Sequence, residues 1–426
     1  MSNIRTLRPR WYKLDNAAKI FPGQNTGHWS NVFRLCAVLR EPVQPDILEQ
    51  ALRQTLCRFP LWKVQLKHGF FWHYFKENPF DAPPVMEDIK NPCHRIQYKE
   101  NNRFLFRVYY RGNRIAVDPF HSICDGYGCA VFTFSLLAQY YRLLGETIPC
   151  GEFVRDVSEK PSDAEAEDAF LRFATSKAKY KRTDKFCYHP ACTKLPAHMV
   201  NITAGILSFS QLHALTRAKN VTITEYLAAV LVQVHMQRQR TERRRQKEIS
   251  VQIPINLRKV FPCDTLRNFS INLRIKLDPN RGEYTFDEIL RSVSLQLRLA
   301  NNRQDMNMYI TANTAIERNR LLRLVPLPLK DLGVRVTFAV TREQTTTALL
   351  TNLGGISLPQ TLQAHIDHCF LMPAGGLRNP ARCGVITTGD ALVITFANGF
   401  VESDIERDFF TFLVRQGLHV KIESNR

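Results

Sequence analysis

The chain has 426 residues, of which 44% are hydrophobic, and its 58 basic and 39 acidic side chains give a formal net charge of +19. This composition excludes a disordered chain, and the length is sufficient for two or three packed domains. The positive charge favours anionic partners, and CoA phosphates, an acidic carrier protein, nucleic acid and a membrane surface all stay open at this point.

The cysteines and the apolar segments indicate where the protein works. Eleven cysteines are scattered from Cys36 to Cys383 without a Cys-x-x-Cys pair. A chain of this length does not need disulfide staples, so we expect a reducing, cytoplasmic compartment. The arginines near the N-terminus precede no apolar run, and we therefore expect no signal peptide. The most apolar helix pattern, at 226–234, is too short to cross a bilayer.

The first part of the chain alternates strand patterns with helix patterns. Pro45 begins a helix with an apolar face at helical spacing, and Phe59-Pro60 ends it. Residues 111–114 form a turn signal between two β-runs, and Gly145 caps the helix that follows them. The predicted elements are strands at 28–39, 64–66, 70–75, 104–110 and 115–120, and helices at 45–59, from 126 to 145 and from 167 to about 177.

Residues 177–196 lack any periodicity and predict a crossover between two halves. We expect an N-terminal half at 1–177, a linker at 178–199 and a C-terminal half at 200–426. The irregular alternation of elements predicts an α+β fold with mixed sheets and packed helices, and a ligand cleft between the halves. The second half contains predicted strands at 201–209, 249–255, 269–277, 345–353, 384–388 and 391–397, and helices at 210–219, 224–238, 285–299, 305–324, 329–341 and after Ser403.

The junction at 120–128 combines a histidine with a carboxylate. His121 ends a strand pattern, and Asp125-Gly126 opens a helix pattern. A general base needs such a place, because rigid elements hold it while a cleft leaves it reachable. Imidazole, with an ordinary pKa of about 6.5, suits proton abstraction near neutral pH. Gly126 permits backbone conformations that other residues resist. The spacing alone leaves a purely structural histidine open.

Other residues suggest rival chemistry. Cys124 is either a nucleophile activated at the helix start or a small buried cysteine, and the second interpretation is favoured. The cluster at 365–369 contains two histidines, an aspartate and a cysteine, but no partner pair with metal-ligand spacing, so we expect no metal. The basic run at 238–247 indicates mainly a solvated helix end and loop, with phosphate binding as the less favoured alternative. We find no motif for nucleic-acid binding.

The segment 121–126 resembles the His-x-x-x-Asp-Gly signature of the CoA-dependent acyltransferase superfamily. This group includes chloramphenicol acetyltransferase, condensation domains, polyketide-associated acyltransferases and alcohol acetyltransferases. Segments 254–258 and 265–269 resemble the paired strands after the crossover, and 351–359 resembles the Ser-Asn-Leu-Gly segment. Phe120 replaces a second histidine, and the Asp-Phe-Gly-Trp-Gly motif is absent, which favours the alcohol acetyltransferase branch.

The resemblance implies a V-shaped pair of chloramphenicol-acetyltransferase-like halves with the site in a tunnel between them. His121 would deprotonate an acceptor hydroxyl or amine, which attacks an acyl-CoA or acyl-carrier thioester. No cofactor would be permanently bound, and one chain would form a complete site, which predicts a monomer. A carrier-protein-dependent condensation enzyme and a non-catalytic binding module of the same fold stay open as alternatives.

The resemblance also implies roles around the histidine. Asp125 would hold the loop through a salt bridge with Arg258, and Gly126 would be a further structural residue of the site. Backbone N–H groups near Gly126 are possible oxyanion donors. Asn352 and Asn268 are candidates for oxyanion donors or tunnel residues.

Overall fold

The computed structural model describes residues 10–25, 30–89, 91–176, 185–196, 199–242, 245–338, 344–374 and 381–426. Its strands are β1 (Trp11–Lys13), β2 (Arg34–Leu39), β3 (Val64–His68), β4 (His73–Glu77), β5 (Val85–Glu87), β6 (Phe106–Arg111), β7 (Arg114–Pro119), β8 (Asn201–Ser208), β9 (Ile249–Asn256), β10 (Ser270–Leu277), β11 (Ala348–Ile356), β12 (Ile366–Met372), β13 (Ala381–Thr388), β14 (Ala391–Asn398) and β15 (Lys421–Ser424).

The helices range from one turn to five. They are α1 (Phe21–Gln24), α2 (Pro45–Arg58), α3 (Gly126–Leu143), α4 (Ala169–Phe173), α5 (Phe209–Ala218), α6 (Ile223–Thr241), α7 (Phe286–Ala300), α8 (Arg303–Arg318), α9 (Arg320–Arg323), α10 (Leu327–Thr337), α11 (Gln360–His365) and α12 (Asp404–Arg415).

The strands of the described ranges form three sheets, and the two larger ones carry the two hydrophobic cores. A five-stranded sheet has the order β12-β2-β7-β6-β5, and a seven-stranded sheet has the order β10-β9-β11-β13-β14-β8-β15. A small sheet, β1-β4-β3, lies at the N-terminal side. Helix α3 is apolar on almost all sides and is buried between the first sheet and α2, as expected for a helix without a polar face. This architecture confirms the predicted α+β class.

The strand β12 connects the two halves. It follows α11 in the C-terminal part of the chain, yet it pairs antiparallel with β2, with Cys369 opposite Ala37. It also contacts β13 of the seven-stranded sheet, where a Cβ on Gly384 would lie 2.1 Å from the carbonyl oxygen of Leu371. Residues after 200 therefore contribute to both large sheets, while the boundary at 199/200 stays a prediction. The strand at β12 was not predicted.

Several predicted element bounds were wrong. The strand predicted at 28–39 begins only at Arg34, and residues 26–29 lie outside the described ranges. The helix predicted to reach about 177 is the five-residue α4. The helix predicted at 305–324 is broken at Asn319, whose extended backbone lets its side chain accept hydrogen bonds from the N–H groups of Leu321 and Leu322. Asparagine favours such caps over helix interiors.

The last two helices also differ from their predictions. Helix α10 begins two residues before the predicted 329, at Leu327, and 339–343 lie outside the described part of the chain. Ser403 does precede α12, but its side chain makes no capping hydrogen bond.

Candidate active site

His121 lies in the loop between the end of β7 at Pro119 and the start of α3 at Gly126. Its backbone N–H donates a hydrogen bond of 2.9 Å to the carbonyl oxygen of Asn31. Its imidazole stacks on the ring of Phe21, with 4.6 Å between centroids, and is tilted against Phe33 at 4.9 Å. The side chain is half-buried. The ring is thus confined by two aromatic neighbours from the N-terminal part of the chain.

Asn268 and Asp15 orient the imidazole. Nδ1 of His121 lies 3.0 Å from Oδ1 of Asn268, and Nδ2 of Asn268 donates a hydrogen bond of 3.2 Å to Oδ2 of Asp15. A carboxylate only accepts, so the amide nitrogen of Asn268 must face Asp15 and its oxygen must face the imidazole. That oxygen accepts a hydrogen bond from Nδ1–H, which leaves the lone pair of the neutral imidazole on Nε2.

Asp15 is itself held in place. Its Oδ1 accepts a hydrogen bond of 2.8 Å from the N–H of Ala18, and the guanidinium of Arg267 lies 3.5 Å from Oδ2. Asp15 is fully buried. Neither Asp15 nor Arg267 was predicted from the sequence, because no local pattern links residue 15 to residues 267 and 268.

Arg258 and Asp125 form the predicted ion pair, and both side chains are 7% exposed. Nη1 of Arg258 donates to Oδ2 of Asp125 at 2.8 Å, and Nη2 donates to Oδ1 at 3.3 Å. The remaining N–H groups of Arg258 donate to the side chain of Asn256 and to the carbonyl oxygens of Thr265 and Arg267. All five guanidinium donors are therefore used, and they hold the loop that carries Asn268 against the histidine loop.

The same carboxylate begins α3. Oδ1 of Asp125 accepts from the N–H of Gly128 as the N-cap, and Oδ2 accepts from the N–H of Phe269. N-caps of this type satisfy backbone donors that a helix leaves unpaired. Asp125 therefore joins three elements: the helix after His121, the guanidinium of Arg258 and the first residue after Asn268.

The glycines of the motif are needed for close packing. A Cβ on Gly126 would lie 2.5 Å from Cδ2 of Leu353, and a Cβ on Gly128 would lie 2.0 Å from the carbonyl oxygen of Leu266. Neither glycine has a positive φ. The expected reason for Gly126, an unusual backbone conformation, is therefore wrong, and the close approach of β11 replaces it.

Asn352 lies in β11 and is engaged within the chain. Its Nδ2 donates to Oγ1 of Thr224 at 3.0 Å, and its Oδ1 accepts from the N–H of Gly354 at 2.8 Å. Gly354 has a φ of +80° and the register of β11 shifts here. These contacts give Asn352 a role in shaping the strand, and they add no support to its candidacy as an oxyanion donor.

Cys124 and the cluster at 365–369 lack the surroundings that their rival chemistry would need. Cys124 is fully buried, and burial together with the adjacent Cys129 raises the pKa of its thiol well above the ordinary value, opposite to an activated nucleophile. His368 contacts Asp367, while His365 stacks on Tyr141. Among the described residues, no group of three or more potential ligands is placed to hold a metal ion.

The basic run at 238–247 is partly neutralised within the chain. Arg238, at its start, pairs with Asp404 and Glu242, and Arg243 and Arg244 lie outside the described residues. Within the described ranges, no helix has both the length and the apolar character needed to cross a membrane.

Asp168 makes the site region sensitive to pH. Burial, and then the nearby carboxylate of Asp15, raise the pKa of Asp168 from 3.8 to about 6. The folded state therefore binds the proton of Asp168 more tightly than the unfolded chain does. The stability gained from this difference is fully present below pH 3.8 and is lost as pH rises through about 6. We expect Asp168→Asn to improve the melting temperature relative to the parent protein more at pH 7 than at pH 4.5.

A matched control separates this titration from the loss of a cap. Asp168 accepts hydrogen bonds from the N–H groups of Phe170 and Asn16, while the hydroxyl of Ser162, which does not titrate, accepts a capping bond from the N–H of Ala164. Ser162→Ala should therefore change the melting temperature by the same amount at both pH values. An Asp168→Asn difference that is independent of pH would contradict the assignment.

Comparison with known proteins yields structural similarity only. No protein-family model and no curated protein sequence matches the chain. The solved structures that match include TRI101 of F. sporotrichioides in complex with coenzyme A and T-2, at a TM-score of 0.61 and 11% identity, covering 98% of this chain and 100% of that chain. Polyketide synthase associated protein 5 from Mycobacterium tuberculosis matches at 0.57 and 15% identity, covering 94% and 96%.

A condensation domain belongs to the same group of similar structures. The first condensation domain of the calcium-dependent antibiotic synthetase matches at a TM-score of 0.57 and 14% identity, covering 95% of both chains. Similarity over nearly the whole of each chain shows that they share one fold, and it confirms the expected two-half architecture.

Proposed function

We propose that this chain, which has the fold shared by CoA-dependent acetyltransferases and condensation domains, transfers an acyl group from a CoA thioester to an acceptor hydroxyl or amine. The observation that carries the proposal is the chain of contacts from His121 through Asn268 to Asp15. In the neutral imidazole, this chain of contacts puts the proton on Nδ1 and the lone pair on Nε2, which is the tautomer that a general base at Nε2 requires.

The proposed reaction follows from this tautomer. Nε2 of His121 takes the proton of the acceptor as its oxygen or nitrogen attacks the thioester carbonyl carbon. A tetrahedral intermediate forms, then the carbon–sulfur bond breaks, and the sulfur of CoA receives the proton from the imidazolium. Oδ1 of Asn268 accepts a hydrogen bond from Nδ1–H of His121 throughout the reaction. The carboxylate of Asp15, which is hydrogen-bonded to the other side of Asn268, places a negative charge behind it. Both favour the imidazolium formed during the reaction.

The proposed function is tested by acceptor-dependent release of free thiol from acetyl-CoA, measured with purified protein against a panel of alcohols and amines. Release that requires both protein and acceptor supports the proposal, and mass spectrometry of the product identifies the acylated atom. Release with acyl-loaded carrier protein but not with any acyl-CoA would favour the carrier-dependent alternative. No transfer from either donor would favour a binding module.

Removing the amide of Asn268 should weaken the reaction without removing the base. We expect Asn268→Ala to lower kcat by roughly 10- to 100-fold, the size known for losing the hydrogen-bond partner of a metal-ligating histidine, which orients the imidazole in the same way. The acidic limb of the rate profile should also move to lower pH, because the imidazolium loses an acceptor at Nδ1.

The pH profile distinguishes positioning from general damage. A merely misfolded fraction would lower kcat at all pH values and leave the limb where it was. We therefore expect the folded Asn268→Ala protein, checked by its melting curve, to show both changes. An unshifted limb with an unchanged kcat would contradict the role of Asn268.

A further inference from the structure

The surface formed by α9, α10 and the turn between β3 and β4 exposes large apolar side chains. Leu321 is 79% exposed and Phe70 is 73% exposed. We call this surface the leucine patch, and its apolar members are Phe70, Leu321, Leu324, Leu329, Leu332 and Val336. Contiguous exposed apolar surface is uncommon on soluble proteins and marks a site of interaction with another molecule or a membrane.

Helix α10 has apolar residues on two opposite faces. At 100° per residue, Leu329, Leu332 and Val336 lie on one side, and all three are exposed. The opposite side packs on α1, since a Cβ on Gly23 would lie within 3.3 Å of both Asp331 and Val334. One face of α10 thus packs on the protein. The exposed apolar residues of the other face, Leu329, Leu332 and Val336, have no role in that packing.

The turn between β3 and β4 is fastened to α10. The N–H of Leu327 donates to the carbonyl oxygen of Phe70 at 2.9 Å. The ammonium of Lys330 donates to the carbonyl oxygens of Phe71 and Arg323, and it lies 3.7 Å from the centre of the Trp72 ring. Phe70 is therefore held beside the exposed leucines as part of one surface.

Basic residues alternate along the chain with the apolar residues of the leucine patch. Residues 318–336 contain five basic side chains and one acidic one. Arg318, Arg320, Arg323 and Arg335 are exposed and form no salt bridge among the described residues. The acidic residue, Asp331, contacts His73 instead. The leucine patch therefore carries positive charge that acidic side chains of the described residues do not neutralise.

We propose that the leucine patch docks on the surface of an anionic lipid membrane. Exposed leucine and phenylalanine side chains insert at the boundary between head groups and acyl chains, and flanking arginines attract anionic head groups. The charge argues against a second copy of the chain, because two such surfaces would bring like charges together. Five of the six apolar members of the patch are aliphatic, and Phe70 alone offers a single ring, whereas single-stranded nucleic acid is bound by series of aromatic rings on which successive bases stack.

The docking surface lies close to the candidate active site. Nε of Arg335 donates to the carbonyl oxygen of Gly23 in α1, and Phe21 of the same short helix stacks on His121. Contacts therefore connect α10 through α1 to His121, and docking at the leucine patch would suit a lipophilic substrate. The docking itself does not rest on the proposed function.

The test is sedimentation of the full chain with vesicles of phosphatidylglycerol and phosphatidylcholine, and with vesicles of phosphatidylcholine alone. We expect binding to the anionic vesicles that falls with added salt. Leu321→Asn with Leu324→Asn should weaken binding by about ten-fold or more, because two inserted side chains are lost. Arg320→Gln with Arg323→Gln should weaken binding to anionic vesicles by about ten-fold.

Two control variants make the same chemical changes elsewhere. Leu295→Asn with Leu299→Asn removes two exposed leucines of α7, and Arg217→Gln with Arg415→Gln removes one exposed arginine from α5 and one from α12. Both should bind within about two-fold of the parent protein, since neither pair belongs to the patch.

Four results would overturn the proposal. The first is no binding of the protein to anionic vesicles, and the second is an equal loss of vesicle binding in the patch and control variants. The third is a dimer in light scattering that Leu321→Asn with Leu324→Asn dissociates. The fourth is tighter binding to an RNA homopolymer than to the vesicles. Melting curves of all variants exclude unfolding as the cause of a loss.

Discussion

Replacing His121 with alanine is expected to lower kcat for acyl transfer by about 10²- to 10⁴-fold, the contribution of a positioned general base. Without the imidazole, no group takes the acceptor proton as the bond to the thioester carbon forms. The half-buried ring stacks on Phe21 and Phe33, so its loss removes some packing but no central core residue. The protein should stay folded.

The measurement is acceptor-dependent thiol release, with the melting curve as a check on folding. His213→Ala is the matched control, because His213 is an exposed histidine on α5 that has no contact with the site described above. It should retain the parent rate. Retained turnover in folded His121→Ala would reject His121 as the base, even if the protein proved to be an acyltransferase.

Replacing Arg258 with methionine is expected to lower the free energy of unfolding by about 3–5 kcal/mol. The substitution leaves the buried carboxylate of Asp125 without its cation, and it frees the carbonyl oxygens of Thr265 and Arg267 that the guanidinium holds. The loop carrying Asn268 would lose its attachment, so activity should fall as well.

Chemical denaturation measures this cost, and an exposed ion pair provides the control. Arg172 pairs with Glu167 at 3.0 Å, but its side chain is 52% exposed. Arg172→Met should therefore change stability by less than about 1 kcal/mol. The double variant Arg258→Met with Asp125→Asn should be less destabilised than the two single variants added together. Full additivity would show that the pair is not coupled.

Local patterns were sufficient for much of the fold. Helix α2, the hairpin β6–β7 and helix α3 lie within a few residues of their predicted bounds, because each has a clear apolar period and a turn or cap signal at its ends. The pairing of Asp125 with Arg258 was expected from the family resemblance, and the structure places the two groups in direct contact.

Contacts between distant segments could not be predicted. The strand β12 has only seven residues, and no local pattern indicated that it forms the edge of a sheet whose other strands lie more than 200 positions earlier. Asn268 was considered as an oxyanion donor or tunnel residue. Its contacts with His121 and Asp15 depend on three segments that meet only in the folded protein. No single-sequence pattern encodes such a meeting.

The late position of β12 has a consequence for biosynthesis. Strand β2 is complete at Leu39, but its pairing partner ends at Met372. At a synthesis rate of about 5–20 residues per second, the outer edge of β2 stays unpaired for on the order of 15–65 s. An unpaired edge is a template for aggregation. The nascent chain is therefore expected to depend on chaperones that shield this edge until translation is almost finished.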